Sequence, residues 1–414
     1  MGAIERRFRL DTEENLAFRK ELAEELLAFG HQITSPHGGI YWLKEDGTPW
    51  KEKPRECYTT ARMVHVYSIG KMLGHEGSEA LAKNALDGLL TGEIKDKEHG
   101  GWYVGVEADG TPQEGKLCYA HAFVMLAATS GMLAGIDGAE ELLTEAKAVY
   151  DRYFWQEEQG LSCDVWDTAF TTLDSYRGLN ANMHSVEAFL AVADVTGEEE
   201  YRVRAGRIID RVIEWAKNNR WRIPEHYSDA WVPQLDVNRD KSDDPFKPYG
   251  ATPGHGLEWS RLILQWALSS YGDDAEKTAP YIEASEHLFG RAVADAWNAD
   301  GDRGFVYTTD WEGEPVVHDR MHWTLAEGIA AAATLKHVTG KEIYDACYAQ
   351  FMRYMEEQVR DHKYGSWYHQ MDRNNKVTGS VWPGKLDLYH ALQAVLIPGY
   401  VPHLSIAKAV QEEG

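Results

Sequence analysis

The feature that most constrains this 414-residue chain is an internal repeat. Six short segments share a glycine–aromatic, strand-like character. They are HGGIYWL from 37, HGGWYVGVEADGTP from 99, QGLSCDVWD from 159, RWRIPEHYSDAW from 220, RGFVYTTDWEGEPV from 303 and YGSWYHQMDRNNKV from 364. They recur about every 60 residues, with one longer interval of about 80, and a fixed period of this size marks a repeat architecture. ADGT (108–111), WEGE (311–314) and DRNN (372–375) have the composition of hairpin turns.

Between the segments the apolar residues recur with a helical period. The pattern predicts twelve helices, over 14–30, 56–74, 78–90, 116–133, 139–155, 179–197, 199–219, 255–270, 281–297, 321–340, 344–362 and 385–398. They alternate between two kinds. One is amphipathic and rich in charge. The other directly follows each hairpin segment and is apolar or small on nearly every side, as a helix buried on all faces must be. Six units of hairpin, buried helix and amphipathic helix predict an all-α fold, an (α/α)6 barrel of twelve helices in two concentric rings. Short β-hairpins would cover one end. An open α-solenoid is the competing arrangement, but it does not need six such uniformly apolar helices. Length alone suggests two or three domains. The one long polar stretch, DVNRDKSDDPFKPYGATPG (236–254), has the character of a loop within a domain, so 1–414 is expected to form a single catalytic domain.

Composition narrows the partners. A net charge of -24 argues against nucleic acid, whose phosphates require a basic surface, and against anionic membranes. No apolar run approaches the roughly 20 residues of a membrane span, and the N-terminal stretch lacks the apolar core of a signal peptide. A cytoplasmic protein is expected. Cys57, Cys118, Cys163 and Cys347 are scattered singly and are expected to be core residues, neither bridges nor zinc ligands. A homo-oligomer is compatible with the sequence, which carries no feature that sets its order.

In a closed inner ring all six buried helices start at one end of the barrel, beneath the hairpins. Each start carries polar residues: Arg62 and His65; Tyr119 and His121; Asn180, Asn182 and His184; His255 and Glu258; His322, Trp323 and Glu327; Asp387 and His390. One buried polar residue is ordinary. Six starts of six exceed what packing requires, because a buried polar group costs free energy unless it is paired. His65 and His121 are expected to be satisfied core histidines, and Asn182 to point away from Asn180 on its helix. Arg62, a guanidinium on a buried helix, needs an anion or several acceptors. Neutral histidines suit proton transfer near neutral pH, and a guanidinium can hold a developing oxyanion. That kit suits proton abstraction next to a carbonyl. No zinc signature, nucleophile elbow or phosphate loop occurs, and no metal or cofactor is expected.

TARMVHVYS (60–68), GLNANMHSVEAFL (178–190), TPGHGLEWSRL (252–262), GFVYTTDWEGEPV (304–316) and VWPGKLDLYH (381–390) together resemble the N-acylglucosamine 2-epimerase superfamily along nearly the whole chain. The similarity is greatest to the branch of D-mannose and sulfoquinovose isomerases. The resemblance implies an (α/α)6 barrel and a metal-independent sugar aldose–ketose isomerase, interconverting D-mannose and D-fructose through a cis-enediol(ate). It implies that His390 moves the proton between C2 and C1, and that His255 assists ring opening and proton transfer to oxygen. Arg62 and His184 would hold the O1/O2 region. Asn180, Tyr119, Glu258, Trp323, Glu327, Trp382 and Asp387 would bind the sugar. Leu386 stands where a sulfonate-binding enzyme would profit from a polar contact, which favours a neutral hexose.

Other readings stay open from the residues alone. A sugar 2-epimerase or a sulfoquinovose isomerase of the same superfamily needs nearly the same kit. A glycoside hydrolase would use two opposed carboxylates, such as Glu258 with Asp387 or Glu327, and leaves the histidines unexplained. A helical-repeat binding protein would place its polar residues on an open face.

Overall fold

The period of the sequence closes into a ring. The protein is described by a computed structural model that covers residues 2–413 apart from Asp387. Six helices form the inner ring: α3 (Cys57–Met72), α5 (Cys118–Leu133), α7 (Leu179–Thr196), α9 (Pro253–Tyr271), α11 (His322–Thr339) and α13 (Tyr389–Leu396). Each packs on the next in chain order, and α13 packs back on α3. That last contact makes the barrel closed and excludes the open solenoid. The outer helices are α2 (Glu13–Phe29), α4 (Ser78–Leu90), α6 (Ala139–Tyr153), α8 (Glu199–Asn218), α10 (Ala275–Ala296) and α12 (Glu342–Tyr354). They pack on the inner ring, α8 and α10 each bridging two of its helices.

All twelve predicted helices are present. A one-turn helix, α1 (Ala3–Arg6), and a C-terminal helix, α14 (Ile406–Glu413), are added, and α14 packs against α3, α5 and α7. The two kinds of helix separate as the pattern requires. In α3 every residue from Cys57 to Gly70 is buried, whereas α8 buries one stripe that includes Tyr201, Ile208, Ile209 and Val212. Each large apolar side chain buried this way contributes about 1.5–3 kcal/mol relative to exposure. The cysteines carry no disulfide, and no helix among the described residues is long and apolar enough to cross a membrane.

Some of the expected local hairpins form, Trp42–Leu43 with Pro49–Trp50, Trp155–Gln156 with Leu161–Ser162 and Thr308–Thr309 with Pro315–Val317, but other strands pair over a longer range. The turns themselves form: the Gly110, Gly313 and Asn375 amides donate back to the Glu107, Asp310 and Asp372 carbonyls. The strand leading into an inner helix, however, pairs with a strand beyond the next outer helix. Arg55–Glu56 pairs antiparallel with Gly105–Val106, Lys116–Leu117 with Val165–Trp166, Arg177–Gly178 with His226–Tyr227, and Arg320–Met321 with Gln370–Met371. A two-residue strand carries no pattern that identifies a partner some 50 residues away. These links rivet neighbouring repeats together at the end where the inner helices begin.

Buried ion pairs mark the same joints. Lys116 donates to Asp96 (2.6 Å) and to the Gly100 carbonyl (2.9 Å). Lys385 donates in the same way to Asp361 and to the Gly365 carbonyl (both 2.6 Å). Such pairs add little net stability because both charges are desolvated, but only one register satisfies them.

Candidate active site

The inner helices are buried along almost their whole length, and the interruptions are informative. Near the starts of four of them one residue is only partly buried: Tyr119 on α5, Asn180 on α7, His255 on α9 and Trp323 on α11. All four face one open pocket of about 680 Å³, at the strand-bearing end of the barrel. Arg62, His184, Glu258, Trp382 and His390 complete its predicted lining. Of the remaining predicted residues, Glu327 lies outside the lining and Asp387 lies outside the described residues.

Local sequence explains how His255 reaches the pocket. Pro253 occupies the first position of α9, where its missing N–H costs no helical bond. A Cβ on Gly254 would stand 2.5 Å from the Trp323 ring, so only glycine lets the start of α9 close against α11. The Trp323 ring then lies between two imidazoles, with centroids 5.2 Å from His255 and 5.8 Å from His390.

Three pocket histidines share one arrangement. His390 Nδ1 lies 3.0 Å from Glu327 Oε1, His255 Nδ1 3.0 Å from Glu225 Oε2, and His184 Nδ1 3.2 Å from Glu187 Oε2. A carboxylate only accepts, so in each pair Nδ1 carries the hydrogen and Nε2 is the basic nitrogen. A neutral imidazole with its tautomer fixed is the form that can take up a proton. Burial, reinforced by Arg62, lowers His184 to about 4, partly offset by Glu187, and keeps it neutral at ordinary pH.

Arg62 projects among the rings of Tyr58, Phe123 and Tyr389, with its guanidinium carbon 4.4 Å from the Phe123 centroid and 4.7 Å from that of Tyr389. It donates to the Tyr119 hydroxyl at 2.7 Å. An aromatic collar of this kind holds a cation in place.

Behind the pocket lies a charged layer. Arg261, one turn beyond Glu258 on α9, donates to Glu327 Oε2 through Nε (3.3 Å) and Nη2 (3.2 Å), and its Nη2 stands 3.9 Å from Glu258. Glu187 accepts from Tyr389, from His184 and from Gln393 (3.1 Å). Burial pushes the Glu187 carboxyl up, but these contacts and Arg261 outweigh it and hold it well below the carboxylate range. His184, Glu187 and Glu258 offer donor atoms within 4.8 Å of one another, the spacing of a cation site. His184 Nδ1 is already committed to Glu187, and Arg261 and Arg62 both bring positive charge to Glu258. The set is built around guanidinium groups and does not suit a further cation.

The residues expected to be structural are so placed. His65 Nδ1 contacts the Ser130 hydroxyl and His121 Nδ1 the Leu117 carbonyl, both at 2.7 Å, and burial lowers them to about 4 and about 3. Asn182 turns away from the pocket and ties the Ser162 amide and carbonyl to α7. Sequence reasoning did not reach Tyr58, Pro245, Phe246, Tyr307 and His369, which also line the pocket, nor Glu187, Glu225 and Arg261 behind it. Arg261 and Glu187 carried a signal, being charges at helical spacing on helices otherwise apolar. Phe246 carried none. It comes from the 236–254 loop, and its ring meets Trp382 at 5.4 Å and Tyr58 at 6.3 Å across the pocket mouth.

Known proteins share this architecture. A D-mannose isomerase of Thermobifida fusca is 40% identical over 379 residues, covering 91% of this chain and 92% of that protein. A D-mannose isomerase of Pseudomonas cannabina pv. alisalensis is 40% identical over 85% of this chain and 84% of its own length. A crystal structure of a D-mannose isomerase superposes with a TM-score of 0.85 at 25% identity, covering 92% of this chain and 97% of that one. The pattern of the N-acylglucosamine 2-epimerase (GlcNAc 2-epimerase) family matches residues 38–394. With the barrel, the ordered motifs and these relatives in agreement, the chain belongs to the N-acylglucosamine 2-epimerase family.

Proposed function

We propose that this protein is an aldose–ketose isomerase that interconverts D-mannose and D-fructose through a cis-enediol(ate). The observation that carries the reading is the set of carboxylate-tethered imidazoles around one pocket, in a chain 40% identical to a D-mannose isomerase over nine-tenths of its length. His255 takes the anomeric hydroxyl proton as the ring opens and returns a proton to the ring oxygen. His390 Nε2 removes the proton from C2 and delivers it to C1, since a neutral imidazole serves either direction near neutral pH. Arg62 and His184 hold the O1/O2 region as negative charge develops there. Asn180, Tyr119, Trp323, Trp382 and Asp387 bind the remainder of the sugar, and Glu327 acts through His390. The small-molecule partner is a neutral hexose: Leu386 is apolar at the pocket wall. A cytoplasmic location is part of this proposal.

An epimerase of the same family would return the proton to C2 from the opposite face. The deciding experiment follows D-mannose by NMR in deuterated water containing EDTA. Fructose as first product with a rate unaffected by EDTA supports a metal-independent isomerase. Glucose as first product makes the protein an epimerase. Activity lost to EDTA and restored by a divalent ion overturns the metal-independent mechanism. No turnover of any free hexose overturns the reading altogether.

A further inference from the structure

Glu258 is only 1% exposed, lines the pocket, and neither of its carboxyl oxygens has a hydrogen-bond partner among the described residues. A buried ionised carboxylate without partners is among the costliest arrangements a fold can hold. Its surroundings pull both ways: Glu327 from α11 and Glu187 from α7 make ionisation harder still, while Arg261 from its own helix and Arg62 from α3 oppose them, and His184 from α7 and Tyr389 from α13 also face it. Three carboxyls, Glu187, Glu258 and Glu327, crowd the single guanidinium of Arg261. Glu187 accepts three hydrogen bonds and so does Glu327; Glu258 accepts none. A proton retained by this trio belongs on the member that accepts no hydrogen bond.

We propose that Glu258 stands in the pocket wall as a neutral carboxylic acid and exchanges its proton with the substrate oxygens O1 and O2 during isomerisation. Burial, reinforced by the charge on Glu327, pushes its carboxyl well above the ordinary range, in keeping with the geometry. A carboxylic acid kept neutral at the point where an oxyanion forms is an effective donor to it. The role rests on the isomerase reading above. As the C2 proton passes to His390, the C2–H pair becomes the C1=C2 bond and the C1=O1 π pair takes the Glu258 proton. A cis-enediol and a Glu258 carboxylate result. In the second half Glu258 removes the O2 proton, the O2 pair forms the C2=O2 carbonyl, and C1 takes the proton back from His390. The acid ends as it began, and His390 and Glu258 have each moved one proton.

Infrared difference spectra of wild type and Glu258→Gln at neutral pH test the protonation state without substrate. The carbonyl band of a protonated carboxyl is expected in wild type and absent from the variant. Its absence from wild type overturns the proposal, whatever sugar the enzyme takes. Kinetics test the transfer. Glutamine can still donate a hydrogen bond but cannot release a proton, so KM for D-mannose should stay within about threefold while kcat falls about 10²–10⁴-fold. An unchanged kcat overturns the transfer. In wild type kcat should fall as pH rises and Glu258 ionises, a limb the variant should lack. Should Glu258→Gln fail to fold, Glu258→Asp decides: the acid band must persist at a changed frequency, and its loss would count against the proposal. If no hexose is turned over, the band alone decides whether Glu258 is neutral, and proton exchange with O1 and O2 is overturned together with the isomerase reading.

Discussion

Two of the pocket's histidine–carboxylate pairs are alike in their contact and unlike in everything around it. His390 and Glu327 meet at 3.0 Å, as do His255 and Glu225. Glu327 comes from α11 inside the ring, and its other oxygen is held by Arg261, so the pair is wired into the charged layer that also contains Glu187 and Glu258. Glu225 comes from the segment before the strand His226–Tyr227, outside the ring, and its second oxygen has no partner among the described residues. The same local device is therefore built once into the rigid core and once into the cover of the pocket. The first should propagate damage through the site; the second should fail alone.

The sharpest way to break the comparison is to remove the imidazoles. His390→Ala should abolish turnover with the circular dichroism of the barrel retained, since in the proposed reaction His390 moves the C2 proton. Residual activity above about 1% would mean that His390 is not the essential base, because general-base catalysis contributes about 10²–10⁴. His255→Ala should depress turnover of cyclic mannose nearly as far. It should leave hydrogen exchange at C2 of an open-chain analogue largely intact, because ring opening is then unnecessary. If both variants lost exchange on the open-chain analogue equally, the division of labour between the two pairs would be gone.

The next effect separates the carboxylates. Glu327→Gln preserves an acceptor for His390 Nδ1–H but leaves the Arg261 guanidinium unbalanced and removes the like charge facing Glu258. A fall in kcat of about 10²–10³ is expected, since a buried charged partner is lost together with a tuned base. The infrared band of the neutral acid should weaken, because the Glu327 charge no longer opposes ionisation of Glu258, and burial and Glu187 are left to favour the acid against Arg261 and Arg62. A strong band with kcat near wild type would show that the layer behind the pocket is passive.

Much of this was legible in the sequence, for reasons that also mark where legibility ends. The ring was readable because six apolar helices at a fixed period have few other ways to be buried. The inner-helix positions of Arg62, His184, His255 and His390 followed from counting residues from each helix start. Glu327 was read as a wall of the pocket because its side chain starts one turn into α11, as Glu258 does on α9. Its direction is set by Arg261, a contact 66 residues away in the chain. Pro245 and Phe246 were invisible because a polar loop has no period to say which residue turns inward. Glu225 was invisible for a related reason. Its segment docks over α9 through the pairing of Arg177–Gly178 with His226–Tyr227, and two-residue strands leave no trace in a sequence window.

The smallest effect belongs to Glu225. In Glu225→Gln the amide oxygen can still accept the Nδ1 hydrogen of His255, so the tautomer and the ring position should survive, and only the negative charge beside the imidazole is lost. Outer partners of a functional histidine typically change its performance by about 10–100-fold. The conservative amide should fall at the low end, about tenfold in kcat with KM unchanged, and Glu225→Ala should fall further because the ring is then released. The loss should appear with cyclic mannose and vanish with the open-chain analogue, since it acts through His255 alone. Combining Glu225→Gln with Glu327→Gln gives the final discrimination. Groups that do not share partners combine additively, whereas members of one network do not. Additive losses would confirm that the cover and the core hold their histidines independently. A large coupling energy would mean that Glu225 belongs to the same charged layer as Glu327, with the sugar itself as the bridge between them.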